Sequence, residues 1–292
     1  MIIVKLMGGL GNQMFQYAAA RRLAHFNNTS LKMDLNWFDN NHEVYTSREY
    51  VLDKFEIQAD LAADEDIKAL KVGKHERRRS FFGKKEMTVA TSYVVEKYFH
   101  FDPEILNLTD NIYLEGYWQS EKYFIDIKDI IYKEFEVKVR PEEETLEMAD
   151  WIESSESVSL HIRRGDYVSN PATRKIHGVC DLDYYSRCVK QITETVKDPH
   201  FFIFSDDCEW AKKNLKLSYP MTIISNNGAG RECEDLRLMS KCKHQIIANS
   251  SFSWWGGWLN HNPDKIVIAP KKWFNKSNAN TNDIIPGGWI KL

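Results

Sequence analysis

The second half of the chain alternates. Short, mostly apolar runs at 157–162 (SVSLHI), 200–205 (HFFIFS), 220–225 (PMTIIS), 244–249 (HQIIAN) and 265–270 (KIVIAP) are separated by helical patterns at 181–197, 206–215, 232–242 and 251–260. Strands this short and apolar, alternating with helices, belong to a parallel sheet covered on both faces. The first half opens the same way. Strand 1–6 (MIIVKL) runs through a glycine loop at 7–11 into a helix at 12–26, where Met14, Phe15, Ala18, Ala19 and Leu23 keep near-helical spacing. A strand at 30–35 follows. After a less regular stretch, 36–110, a strand at 112–117 leads to a helix capped by Ser120. Pro141, followed by a charge run, marks a break. A length of 292 residues accommodates two ordinary domains. We therefore expect two α/β domains, 1–145 and 146–292, with ligands bound at the carboxyl ends of the strands.

Charge narrows the ligand class. A net charge of -3 argues against a whole-protein nucleic-acid binder. The run 71–85 (KVGKHERRRSFFGKK) is a local exception, with seven Lys or Arg against one Glu. It reads as a solvated loop or, less commonly, as a peripheral dock for an anionic membrane. Five cysteines (Cys180, Cys188, Cys208, Cys233 and Cys242) show neither CxxC nor zinc spacing, and read as free thiols in a reducing compartment. No stretch reaches the roughly 18 apolar residues of a membrane span. The first residues read as a buried strand rather than a signal peptide. We expect a bacterial, cytoplasmic protein, in solution or at the inner membrane surface. Nine tryptophans suit either a large core, the commoner use, or a sugar-binding groove.

Four polar motifs fall at strand ends. In 8–13 (GGLGNQ), glycines between strand and helix let the backbone approach an anion at a helix N-terminus, or simply form a tight turn. Met14 occupies the place of a third glycine, so this is not a dinucleotide fingerprint. In 161–166 (HIRRGD), two guanidiniums at a strand end suit a pyrophosphate; an Arg–Asp166 ion pair is the alternative. In 204–207 (FSDD), a carboxylate can accept from a guanine edge, or Ser205 or Asp206 can cap the next helix. In 249–260 (NSSFSWWGGWLN), Ser250 and Ser251 are positioned for phosphate oxygens, or for capping a packed helix. The metal-like 181–183 (DLD) sits where a helix starts, which favours capping by Asp181. The acidic 64–66 (DED) reads as a solvated face.

Together these pieces resemble the α1,2-fucosyltransferases, family 11 of the glycosyltransferases. The matching segments are 8–18 (GGLGNQMFQYA), 116–124 (GYWQSEKYF), 161–168 (HIRRGDYV), 204–207, 234–242 (EDLRLMSKC) and 249–259 (NSSFSWWGGWL), spanning nearly the whole chain. The resemblance implies a GT-B fold: two Rossmann-like domains facing a cleft, with the donor bound by the C-terminal one. It implies GDP-fucose as substrate, no cofactor and no metal, and inverting transfer to the 2-hydroxyl of a galactose-terminated glycan. Similarity to the wider superfamily places His161 and Asp206 on the guanosine. It places Arg163 on the β-phosphate near Ser250 and Ser251, and Gly9, Leu10 and Gly11 at the diphosphate. Arg164, Ser205, Asp207, Asn249 and Phe252 complete the expected donor set. Arg163, Asn12 and Asp166 are the expected catalytic residues. One departure stands out. Core α1,6 enzymes carry a glutamate shortly after the double arginine, whereas 167–174 (YVSNPATR) holds no carboxylate. Asp166, close behind Arg163 and Arg164, is better suited to orienting a guanidinium than to taking a proton. The alternatives are a transferase for another nucleotide sugar or acceptor hydroxyl, and a non-catalytic carbohydrate-binding protein.

Overall fold

The most apolar runs form the centres of two parallel sheets in the computed structural model, which describes residues 1–39, 48–71, 92–224, 230–275 and 279–292. The first sheet comprises β1 (Ile2–Lys5), β2 (Leu31–Asp34), β3 (Asp60–Leu61), β4 (Tyr93–Val95) and β5 (Ile112–Glu115), in the order β3-β2-β1-β5-β4. The second comprises β6 (Ser157–Ile162), β7 (His200–Ser205), β8 (Met221–Ile224), β9 (His244–Ile246), β10 (Val267–Ala269) and β11 (Ile290–Lys291), in the order β11-β10-β9-β6-β7-β8. The helices are α1 (Leu10–Phe26), α2 (Asp64–Lys71), α3 (Lys128–Glu134), α4 (Glu143–Ser154), α5 (Gly165–Ser169), α6 (Pro171–Ile176), α7 (Leu182–Thr193), α8 (Cys208–Asn214), α9 (Glu232–Lys241) and α10 (Ser251–Trp258). The basic run 71–85 lies outside the described residues, apart from Lys71 at the end of α2. Residue 145, the expected domain boundary, lies inside α4, whose Ala149 and Ile152 pack beneath the second sheet.

Strand order puts one reversal in each sheet. In the first, β2 and β3 lie to one side of β1, while β5 and β4 lie to the other. In the second, β7 and β8 lie to one side of β6, while β9, β10 and β11 lie to the other. Such reversals open a crevice at the carboxyl ends of the two flanking strands. The loops there are those after β1 and β5 in the first half, and after β6 and β9 in the second.

Helix α10 joins the halves. Trp254, Trp255 and Trp258 are buried in one core cluster with Phe15 of α1 and with Phe124. Trp255 lies 5.0 Å from Phe15 and stacks on Phe124 at 5.4 Å. The indole N–H of each of these three finds an acceptor, as is usual for buried tryptophans: Trp254 donates to the Ile284 carbonyl, Trp255 to that of Gly11, and Trp258 to Glu121. Trp118 and Trp273 are buried as well, so five of the nine tryptophans serve the core. The C-terminal segment returns to the first half, where Asp283 accepts from the Phe101 N–H and pairs with Lys122.

Candidate active site

The loop after β1 is shaped by what packs on it. Gly9 is the N-cap of α1, so Gly11 sits within the first helical turn. A Cβ on Gly11 would lie 2.4 Å from the Phe252 nitrogen and from the Ser251 carbonyl carbon. Only glycine lets the first turns of α1 and α10 touch there. The neighbouring Asn12 uses that contact: its Oδ1 accepts from Ser251 Oγ and from Gln119 Nε2, both at 2.7 Å. Gln119 arrives from the end of β5. Glu96 accepts from the Tyr117 and Trp118 N–H groups and anchors that turn, in which Trp118 adopts a left-handed backbone (φ 55°). Asn12 therefore ties both crevice loops of the first half to α10.

The loop after β6 carries the charge. Arg163 donates through Nη1 to Asp206 at 2.5 Å and through Nη2 to Asp166. Its guanidinium lies 5.1 Å from the Tyr167 ring centre. Burial alone would lower its pKa, and the charges of Asp206 and Asp166 outweigh that and raise it. Arg164 turns elsewhere. Its side chain pairs with Asp207 at 3.1 Å and lies 3.9 Å over Trp210, while its backbone N–H donates to Asp206. The two arginines thus do not share one fork. Asp206 comes this close because Gly165 has no Cβ; one added there would lie 2.6 Å from its Oδ2. Capping of α8 falls to Asp207, which accepts from the Trp210 N–H, and not to Ser205 or Asp206.

After β9, the Asn249 amide donates to the His177 and Trp273 carbonyls and braces two loops. Ser250 is the N-cap of α10 and makes no side-chain cap. His161, 5% exposed, lies 5.7 Å from Phe252, and its Nδ1 is buried without a partner. Burial, then the nearby Arg163, pushes its pKa down to about 3, so the ring is neutral. Leu10 buries its side chain and offers only backbone to a ligand.

Comparisons with known proteins supply the family. The family model "Glycosyl transferase family 11" matches residues 1–292. The chain belongs to glycosyltransferase family 11. It is 34% identical to "Alpha-1,2-colitosyltransferase" of Escherichia coli, covering 100% of this chain and 98% of that one. It is 35% identical to "O-antigen biosynthesis glycosyltransferase WbnK" of Escherichia coli, covering 98% and 99%. Arabidopsis thaliana FUT1, solved as a point mutant in complex with GDP, shares the fold at 11% identity and a TM-score of 0.50, over 91% of this chain and 69% of its own.

This family 11 glycosyltransferase is an enzyme with a GT-B type fold, its two sheets meeting at their crevices. Of the residues expected from the sequence, Arg163, Asp166 and Asp206 form one ionic cluster, and Asn12 meets Ser251. Gln13, Arg48, Gln119 and Tyr167 were not singled out, although Gln13, Gln119 and Tyr167 fall within the matching segments. Asp181 caps α7 by accepting from the Tyr184 N–H, and Asp183 pairs with Arg187 on its surface. Asp66 of the acidic 64–66 pairs with Lys32. Among the described residues, no group of His, Cys, Asp or Glu is placed to hold a metal ion, and no helix is long and apolar enough to cross a membrane.

Proposed function

We propose that this enzyme transfers L-fucose from GDP-fucose to the 2-hydroxyl of a galactose in a glycan or glycan precursor, with inversion and without metal or cofactor. The observation that carries this reading is Arg163, a cation fixed from both sides by Asp206 and Asp166 at the end of β6. A guanidinium held this way needs no reorganisation as charge develops on a departing diphosphate. The motif resemblance and the α1,2 linkage in the first relative's name support the 2-hydroxyl.

In the proposed mechanism the leaving group dominates. Arg163 neutralises the departing GDP. Asp166, which accepts from Arg163 and Arg48, orients these groups rather than removing a proton. Asn12 positions the acceptor hydroxyl, since an amide takes up no proton near neutral pH. A loose, oxocarbenium-like transition state asks little activation of the nucleophile.

A second reading, transfer of colitose, is favoured by the colitosyltransferase relative. Colitose is fucose without its 3-hydroxyl, so a site that hydrogen-bonds this hydroxyl should discriminate strongly, and an apolar one weakly. GDP release from each donor against a panel of galactosides tests both readings. Turnover with GDP-fucose and a 2-linked product support the first. Turnover with GDP-colitose alone selects the second, and turnover with neither donor on any galactoside overturns both.

A further inference from the structure

Arg48 reaches the ionic cluster from the opposite half. Its Nη2 donates to Asp166 Oδ2 at 2.9 Å, across 118 positions of sequence. Its position is built into α1. Gln13, fully buried, donates to the Glu49 and Gly8 carbonyls and accepts from the Val51 N–H. This one amide pins the segment carrying Arg48 against the glycine loop. On its other side Arg48 lines that loop: its Nε lies 3.9 Å from where a Cβ on Gly9 would stand. The result is a chain of alternating charge, Asp206–Arg163–Asp166–Arg48, running from the second half to the first.

Such a chain is neutral as a whole, and a diphosphate adds negative charge beside it. Arg163 already has two carboxylates, whereas Arg48 shares one of them and borders the glycine loop. We infer that Arg48 is a donor-binding residue that contacts the diphosphate of a nucleoside diphosphate sugar from the first half, so that the donor bridges both halves. This rests on the nucleotide-sugar transferase reading above. Asp166 then serves as the common counter-ion that keeps the two guanidiniums side by side.

The test measures GDP affinity by calorimetry and the ligand-free melting temperature, for wild type, Arg48→Gln and Arg48→Lys. We expect Arg48→Gln to weaken GDP roughly tenfold to a hundredfold, the loss of one charge-assisted contact, at an unchanged melting temperature. Unchanged GDP affinity overturns the inference, whether or not the melting temperature falls; Arg48 is then at most a strap between the halves. If Arg48→Gln lowers both, Arg48→Lys decides, because it keeps a charge for Asp166 without the planar fork. A restored melting temperature with weak GDP binding supports the inference, and recovery of both overturns it. Failure of the wild type to bind GDP removes the underlying transferase reading instead, and is distinct from an Arg48 variant that binds as wild type does.

Discussion

The two crevices face each other with different chemistry. The loops after β1 and β5 present glycine backbone and the neutral amides of Asn12 and Gln119. The loop after β6, with Asp206 and Asp207 beyond β7, presents ion pairs: Arg163, Arg164 and Asp166. Both arise from the same element, a parallel strand ending at a reversal in strand order, so the scaffold does not impose the contrast. It fits a division of labour in which one half fixes shape and the other fixes charge. A nucleotide sugar needs charge at its phosphates, while an acceptor hydroxyl needs neutral positioning. Arg48 is the exception, a cation carried by the neutral half.

The sharpest way to break this comparison is to alter the charged crevice while keeping its charge. Arg163→Lys retains a cation but loses the planar fork. We expect a transition-state loss of about 2–4 kcal/mol in kcat/KM with normal folding; near-wild-type kcat/KM would remove Arg163 from the site. Asp166→Asn should retain more activity than Asp166→Ala, because it can still accept from Arg163. Equal inactivity in two folded, GDP-binding variants would make Asp166 the base.

The neutral crevice should respond through packing. In Gly11→Ala the new methyl meets the backbone of α10 at 2.4 Å, which only movement of a helix relieves. We expect about 1–3 kcal/mol of lost stability. Gly9→Ala, whose nearest neighbour would be Arg48 at 3.9 Å, should melt as wild type does. Equal melting of the two variants would show that the α1–α10 contact is looser than described.

A pH series probes one buried group of the second half, His161, through stability. His161 is neutral in the fold, with its pKa pushed down to about 3, against about 6.5 in an unfolded chain. Between those values the unfolded state binds the extra proton, so stability rises with pH and is lost as pH falls below about 6.5. The slope from this one group is at most about 1.4 kcal/mol per pH unit. Denaturant titrations at pH 7 and 5 should show a smaller drop for His161→Gln than for wild type. An equal drop would assign the acid sensitivity to other groups.

Strands β6 and β7 were legible to the residue, because six apolar-rich positions between helices leave little choice. The stretch 36–110 was not. There β3 and β4 have two and three residues, too short for any periodicity to show. The motifs fall where strands β1, β6, β7 and β9 end, yet they did not say which way each side chain faces. Adjacent arginines look equivalent in HIRRGD, while the fold aims one at Asp166 and the other at Trp210. Arg48 gave no signal, since its partner lies 118 positions away and its place depends on Gln13.

The smallest expected effect concerns aspartates that resemble a metal motif. Asp181 and Asp183 sit at the start of α7, away from both crevice loops in sequence. Asp181 accepts from the Tyr184 N–H at 2.8 Å, and Asp183 holds Arg187 at 3.0 Å with 78% of its side chain exposed. Loss of an N-cap costs about 1 kcal/mol. Loss of an exposed helical pair costs about 0.3–0.5 kcal/mol. Asp181→Ala should therefore lower the melting temperature slightly, Asp183→Ala scarcely at all, and both should keep their kcat/KM. If arginine and helix N-termini carry the diphosphate, EDTA should leave wild-type activity intact. Loss of activity in EDTA, restored by Mn²⁺ in wild type but not in Asp181→Ala, would return the motif to metal binding. The charged crevice would then no longer be sufficient to hold the leaving group.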